Sequence, residues 1–384
     1  MTYRRAVIPA LVGGLLITLL LWWAGASTHV LQLRGTTTVF DPQSVIELER
    51  WLAPWAYDST AELMSGGPVG GSTVTGGETQ YADLYSTAMQ IRFVAVFVLF
   101  LAGALLLVRR IPPTRGRTPA TLLALWAWAP VAGTLAVTLS APWLIASRGH
   151  GSYRVLPALA SVIASSGPIT LFAGLLTAAV TVLVARVTAK GEDPLPRHSV
   201  ASRAARLSAS VGTAVVALSL VVLSYQSVAA RIQTSFSGAG MLSEPGDLLR
   251  QWLLLGGWTS PASTGLGDWL LYRTGDVLML AVVWWALRLL PGLLTRATVP
   301  AMATGAVCAT VLGLLASQVL HMVIDDTAGV YGPVHRFSAL GNGVPAALTF
   351  GIAAGLAAVA TLRLAGGSDT RAVPAGRDTT DLPG

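Results

Sequence analysis

The run HMVIDD brings together residue types that do acid–base chemistry. It places His321 and Asp325 four residues apart, on one face of a helix, with Asp326 beside them. An imidazole and a carboxylate in this arrangement can bind a metal ion, or act as acid and base in a transferase at a membrane surface. The run follows a long apolar segment, so this candidate site lies at the end of that segment.

Two more ionisable residues border apolar runs. Arg92 stands at the start of one run and Asp276 at the start of another. A charge deep inside a membrane span is a functional candidate by default. Because both residues lie at segment ends, an interfacial ion pair between them is the simpler expectation, and a coupling site is the alternative. The lack of deep charges argues against proton-relay or sodium-coupled transport.

Metal and redox chemistry have little support in the sequence. Four of the five histidines, His29, His150, His321 and His335, fall on one predicted side of the membrane, but no tight ligand motif surrounds them. Cys308 is the only cysteine, so no intrachain disulfide or thiol pair is available. We predict neither a metal centre nor a cofactor.

Two tryptophan-rich segments echo each other about two hundred residues apart. The first is WLAPW, with Trp51 and Trp55, and the second is LLRQWLLLGGW, with Trp252 and Trp258. Tryptophan favours the membrane–water interface, which predicts an interfacial helix in each case. The alternative is an aromatic lip around a ligand cleft.

Pro168 and Pro345 occupy matching places, 177 residues apart, in the last apolar run of each half. Matched breaks in helices point to the binding site of a transporter. The plainer prediction is that each proline lies in the first turn of its helix, where proline is favoured.

The elements that carry these residues are predicted to be membrane-spanning helices. Of the 384 residues, 53% are hydrophobic and 11% charged, whereas a soluble domain has about 25% charged residues. A bilayer requires about 20 apolar residues per helix. The apolar runs predict eight spans, over about 6–26, 91–108, 119–146, 168–185, 207–229, 274–290, 299–324 and 345–362. The predicted fold class is therefore an all-α polytopic membrane protein.

The distribution of arginine predicts the orientation. With both termini in the cytoplasm, most basic residues fall on inner segments, as the positive-inside rule expects. The apolar run from Ala6 to Ala26 is longer than the roughly 7–15 residues of a signal-peptide core, so we expect it to remain as a helix. Lys190 is the only lysine, which suggests a GC-rich genome and a bacterial plasma membrane. No basic patch is interleaved with aromatics, so no nucleic-acid partner is predicted.

The two halves of the chain repeat one pattern. A shift of 201 residues places Trp51 on Trp252, and a shift of 187 places Tyr85 on Tyr272. We predict two parallel four-helix repeats with pseudo-twofold symmetry about the membrane normal. The predicted parts are the first repeat over 1–190 with its outer loop 27–90, a cytoplasmic linker over 191–206, the second repeat over 207–366 with its outer loop 230–273, and a disordered cytoplasmic tail over 367–384.

Three functions fit these patterns. The first is a transporter-like or permease-like component with a cleft at the repeat interface, open to the outer side. The second is a non-catalytic partner or scaffold of an envelope complex, which would bind a membrane or extracytoplasmic protein through its outer loops. The third is a membrane-embedded transferase that uses outer carboxylates and His321. The lipid bilayer is a partner in all three.

Overall fold

The computed structural model describes residues 3–28, 42–57, 76–113, 117–147, 155–164, 167–189, 201–234, 245–256, 266–295, 298–324, 337 and 340–369. Within these ranges the chain is almost entirely helical. The helices are α1 (Tyr3–Ala26), α2 (Pro42–Leu52), α3 (Gly76–Arg110), α4 (Thr118–Ala146), α5 (Val155–Ala164), α6 (Gly167–Thr188), α7 (Ser202–Ala217), α8 (Gln226–Thr234), α9 (Gly246–Leu253), α10 (Leu266–Leu293), α11 (Val299–Ile324) and α12 (Val344–Asp369); a 3₁₀ turn (Ala53–Trp55) follows α2, and a π-helical turn (Leu218–Leu223) follows α7.

Eight helical segments in the described part of the chain are long and apolar enough to cross a membrane, as predicted. The protein is therefore a multi-pass membrane protein. The eight segments are Arg5–Ala26, Ala82–Arg110, Thr118–Ala146, Gly167–Thr188, Ser202–Leu223, Trp269–Leu293, Val299–Ile324 and Val344–Ala365. We call the end of the molecule where the first, third, fifth and seventh segments finish the predicted outer end.

Two predicted starts of spans were too late. Helix α3 begins at Gly76 rather than near residue 91, and α10 begins at Leu266 rather than near residue 274. Hydropathy marks the membrane-embedded part of a helix, whereas the backbone hydrogen bonds continue beyond it; the 35 residues of α3 extend over about 52 Å. As a consequence, Arg92 and Asp276 lie inside helices and not at their first turns.

The fifth span also differs from its prediction of 207–229. It runs from Ser202 to Leu223, and the chain turns at Ser224 before α8 begins. The Ser224 hydroxyl donates to the carbonyl of Ser219 at 2.8 Å, which closes the π-helical turn and ends the span. The apolar residues that follow, to Ala230, misled the prediction. Residues 202–206, predicted as linker, are helical.

Many hydroxyl groups inside the spans donate to carbonyls of their own helices. Thr18 donates to Gly14 at 2.8 Å, and Thr310 donates to the carbonyl of Ala306 at 2.9 Å. The bilayer core offers no water to a polar group, so a span tolerates threonine when the hydroxyl bonds to a carbonyl one turn earlier. The polar residues of the spans are thus compatible with an apolar surrounding.

The spans form two four-helix bundles. Helices α1, α3, α4 and α6 pack in a ring in the first bundle, and α7, α10, α11 and α12 pack in the same cyclic order in the second. Small residues allow close approach: Gly174 packs against Ala129 in the first bundle, and Gly351 packs against Val307 in the second. The two glycines are 177 residues apart, so positions matched by that shift make similar contacts.

The bundles meet along a seam between α4 and α11. In the inner half of these two helices, Cys308 donates to the carbonyl of Ala124 at 3.3 Å. At the predicted inner end, the backbone N–H of Thr295 donates to the carbonyl of Arg110 at 3.0 Å. These contacts close the seam along its inner half.

Candidate functional site

A cavity of about 950 Å³ lies at the predicted outer end of the second bundle. Helices α9, α10 and α11 form three of its walls, and the turn before α12 forms a fourth. Helix α5 of the first bundle adds Pro157, Ala160 and Ile163. Thr134 on α4 also lines it, so residues of both repeats surround the cavity, most of them from the second. The cleft was predicted at the interface of the repeats.

Each of the three helical walls presents residues at spacings of i, i+3, i+4 and i+7, which is one face of an α-helix. Most of these side chains are polar or aromatic. The faces consist of Asp247, Arg250 and Gln251 on α9 with Leu254 directly after it; Trp269, Tyr272, Arg273 and Asp276 on α10; and Leu314, Ser317, Gln318 and His321 on α11.

An ion pair lies in the α10 wall. Nη1 of Arg273 is 2.6 Å from Oδ2 of Asp276, and the two side chains are only 14% and 16% exposed. The guanidinium also lies 5.8 Å from the ring centroid of Trp269, which adds a cation–π contact. The predicted partner of Asp276 was Arg92; in the structure its partner is one turn away on its own helix.

His321 packs against α10 next to this ion pair. Its Nε2 is 3.1 Å from the carbonyl oxygen of Tyr272, and the two rings are 5.5 Å apart. A carbonyl can only accept, so Nε2 donates in this contact and Nδ1 of the neutral ring can accept a proton. Gly275 allows the approach, since a side chain at that position would overlap the imidazole. His321 and Asp276 both line the cavity.

The turn before α12 is built on two glycines with positive φ, Gly341 at 85° and Gly343 at 87°. L-residues with a Cβ rarely adopt this conformation. The side-chain amide of Gln318 bonds to this turn. Pro345 follows in the first turn of α12 and lines the cavity.

The π-helical turn sets the floor of the cavity. Ser219 donates to the carbonyl of Leu253, and the N–H of Gly256 donates to the hydroxyl of Ser224 at 3.3 Å. These bonds hold the end of α9 against the fifth span and bring Leu220 to the cavity wall. π-Helical turns occur frequently at functional sites.

The deeper part of the cavity is apolar, and the polar groups lie nearer its mouth. Its apolar lining includes Ile163, Leu220, Leu255, Met279 and Leu314. Ligand sites are commonly cavities of about 300–1,000 Å³ with apolar walls and a few oriented polar groups. The arrangement suits an amphipathic small molecule.

Arg92 and the first pair of tryptophans lie in the first bundle, away from this cavity. Arg92 is 1% exposed; its Nε donates to the hydroxyl of Ser140 at 2.9 Å, and its Nη1 donates to the carbonyl of Pro54. The guanidinium lies 6.0 Å from the ring centroid of Trp55, which is fully buried. Trp51 stacks on Phe172 with ring centroids 6.4 Å apart. These contacts hold the 3₁₀ turn onto the bundle.

The other predicted site residues are divided between the two bundles. Pro168 lies in the first turn of α6, as the plainer prediction had it, and packs within the first bundle. Trp252 is partly buried against the core of the second bundle and does not line the cavity. Asp276, His321 and Pro345 do line it. Trp258, Asp325 and Asp326 lie outside the described residues.

Sequence reasoning missed Asp247, Arg250, Arg273 and Gln318 as site residues. The first three fall in the predicted outer loop 230–273, and Gln318 falls within the predicted span 299–324. One sequence pattern could have identified these site residues: on all three helices, polar residues recur at the spacing of one helix face within apolar surroundings. Among the residues that the structure describes, no three His, Cys, Asp or Glu side chains form a group that would hold a metal ion.

Comparison of the chain with models of protein families, with curated proteins and with solved structures finds no match in any of the three. The cavity and its ionisable groups are therefore the observations on which a function rests.

Proposed function

We propose that this membrane protein is a permease-like component that takes a small amphipathic molecule from the outer side into the cavity of its second bundle. The observation that carries the proposal is the partly buried ion pair of Arg273 and Asp276 in the wall of a ligand-sized cavity. Ionisable residues within membrane spans are costly and usually mark a binding site or a pathway. His321 and Gln318 add hydrogen-bonding groups to the same site.

The direction of access follows from the charge distribution. The basic residues favour cytoplasmic termini in a bacterial plasma membrane, with the mouth of the cavity on the opposite side. The contact between Thr295 and Arg110 closes the seam at the inner end, which suits a state open to the outside. Two parallel repeats with pseudo-twofold symmetry account for the recurrent packing order of the bundles.

The test is native mass spectrometry of protein extracted mildly from its own membranes. The wild-type protein is expected to carry a discrete small molecule or lipid. Gly256→Trp fills the cavity and is expected to lose it; Gly256 lines the cavity, and a Cβ there meets only Leu220 within 4 Å. Gly267→Trp is the matched control, since that exposed position has no neighbouring atom within 4 Å. Equal occupancy in all three proteins, or a protein partner in place of a ligand, would overturn the proposal.

A second candidate function is a membrane-embedded transferase, and the presence of His321 and Asp276 in the lining of one cavity favours it. An imidazole and a carboxylate in one cavity can provide the acid and base for group transfer. The variant His321→Ala separates the two functions. A transferase without its base would retain unreacted substrate, so the bound molecule would differ in mass from that of the wild type. A permease would retain the same molecule.

A further inference from the structure

The repeat in the sequence allows residues of the two bundles to be compared position by position, and the bundles differ at two such positions. The shift of 201 residues that superposes Trp51 on Trp252 places Trp55 on Gly256. The shift of 187 residues that superposes Tyr85 on Tyr272 places Arg92 on Met279. Each shift pairs residues in the same kind of element. Trp55 and Gly256 both follow a short amphipathic helix, and Arg92 and Met279 both lie in the second span of their bundle.

In the first bundle this place is filled by the chain itself. Trp55 is fully buried, and Arg92, which is 1% exposed, covers its ring at 6.0 Å. Phe93 completes the contact, with its ring centroid 6.0 Å from that of Trp55. The backbone of Trp55 packs against Gly25 at the end of α1, where a side chain would overlap its carbonyl group. An indole ring and a guanidinium thus occupy the interior beneath the 3₁₀ turn.

In the second bundle the corresponding residues are a glycine and a methionine, and both line the cavity. Gly256 has no side chain to replace the indole, and Met279 stands at the sequence position that corresponds to Arg92. The backbone anchor is kept, because the N–H of Gly256 donates to the hydroxyl of Ser224, directly after the π-helical turn. In sequence register, two residues that line the cavity thus correspond to the buried Trp55 and Arg92 of the first bundle.

We propose that the ligand of the second bundle carries a flat aromatic group of about indole size, which lies between Gly256 and Met279 in the place that Trp55 occupies in the first bundle. The inference rests on the proposed binding function. Thioether sulfur makes favourable contacts with aromatic rings, so Met279 substitutes for the cation–π partner of the first bundle. Tyr272 and His321 provide two further rings in the wall for edge or stacked contacts.

The mouth of the cavity determines where the polar part of the ligand lies. Asp247 and Arg250 are one turn apart on α9, both are exposed, and both line the cavity. They give the mouth one charge of each sign. An aromatic ring that bears an ammonium and a carboxylate matches this pattern better than a ring with a single charge.

The experiment is ¹⁹F NMR with 5-fluoroindole on protein stripped of co-purified ligand in detergent. The wild-type protein is expected to broaden the probe resonance, and Gly256→Trp is expected to lose this effect, because the added indole takes the place of the probe. Gly267→Trp in the same detergent corrects for partitioning into micelles. Competition with 5-fluorotryptophan tests the role of the charges at the mouth. The wild-type protein is expected to bind 5-fluorotryptophan more tightly than 5-fluoroindole. The double variant Asp247→Asn/Arg250→Gln is expected to bind the two probes equally.

A reciprocal variant tests the comparison from the other side. Trp55→Gly opens the first bundle, and a second 5-fluoroindole site that raises the Tm of this variant is the expected result. If this variant does not fold, the comparison of Gly256→Trp with Gly267→Trp still decides. Identical broadening by those two proteins overturns the aromatic assignment. If the two proteins broaden the probe equally but only Gly256→Trp loses the native ligand, the binding function stands and only the aromatic assignment is refuted. If Gly256→Trp retains the native ligand, both the binding function and the aromatic assignment are refuted.

Discussion

The side chain of Gln318 bridges the turn that starts at Gly341. Its Oε1 accepts a hydrogen bond from the N–H of Gly341 at 3.0 Å, and its Nε2 donates to the carbonyl of Asn342 at 2.8 Å. Gln318 also lines the cavity. One side chain therefore couples the cavity wall on α11 to the start of α12.

Gln318→Leu is expected to destabilise the protein by about 1–3 kcal/mol, because it leaves the N–H of Gly341 without its side-chain acceptor. The measurement is the apparent Tm in detergent, with protein level in the membrane as a second readout. Thr361→Val, which removes a hydroxyl that bonds within its own helix, is the control and should lower the Tm less. An unchanged Tm for Gln318→Leu would show that the turn is held by other contacts.

Gly341→Ala is expected to cost more stability than Gly343→Ala. Both positions have positive φ, so either substitution strains the backbone by about 1–2 kcal/mol. A Cβ at Gly341 would also lie 3.0 Å from the Cα of Gly167 across the seam, whereas at Gly343 the nearest atom is a Leu314 methyl at 3.5 Å. Comparison of the two Tm values isolates the seam contact. Equal Tm losses would indicate that the bundles separate easily at this end.

Breaking the ion pair of Arg273 and Asp276 from one side is expected to destabilise the protein more than removing both charges. A single buried charge left without its partner costs up to about 3–5 kcal/mol, and the modest exposure of this site should reduce that value. Arg273→Met should therefore lower the Tm, and adding Asp276→Leu should recover much of the loss. A double variant less stable than either single variant would contradict this account. Loss of the bound ligand in the stable double variant would place the pair in recognition.

Trp55 and Trp252, one from each tryptophan-rich segment, are expected to contribute differently to the stability of the protein. Trp55→Ala should cost about 3–5 kcal/mol, because the indole is fully buried and covers Arg92. Trp252→Ala should cost less, since that side chain is only partly buried against its bundle. Urea titration or thermal melting in the same detergent compares them. Equal losses would argue that Trp252 carries buried contacts like those of Trp55.

Much of the fold could be predicted from the sequence because membrane insertion is decided segment by segment. A run of about 20 apolar residues favours the bilayer whatever its neighbours are, and its backbone must then be helical. The number of spans was confirmed for this reason. Their ends were less accurate: α3 and α10 start earlier than hydropathy indicates, because polar helical turns outside the bilayer leave no apolar signal.

The candidate site could be predicted only in part. Asp276 and His321 were singled out by their chemical type beside apolar runs, and both line the cavity. Their partners were assigned wrongly, because a partner is set by the relative rotation of helices. Asp276 bonds to Arg273, and Arg92 bonds to Ser140 and Pro54.

The sequence alone thus determined that the chain is helical and crosses a membrane, and it raised the prediction of two related halves, since hydropathy and residue order are properties of the chain itself. The tertiary structure decided that Trp55 is buried beneath its turn, whereas Gly256 lines a cavity. Trp55 and Gly256 are both compatible with a turn after an amphipathic helix. Whether the missing indole leaves a space depends on how α5, α9, α10 and α11 pack around it, and those helices come from both bundles.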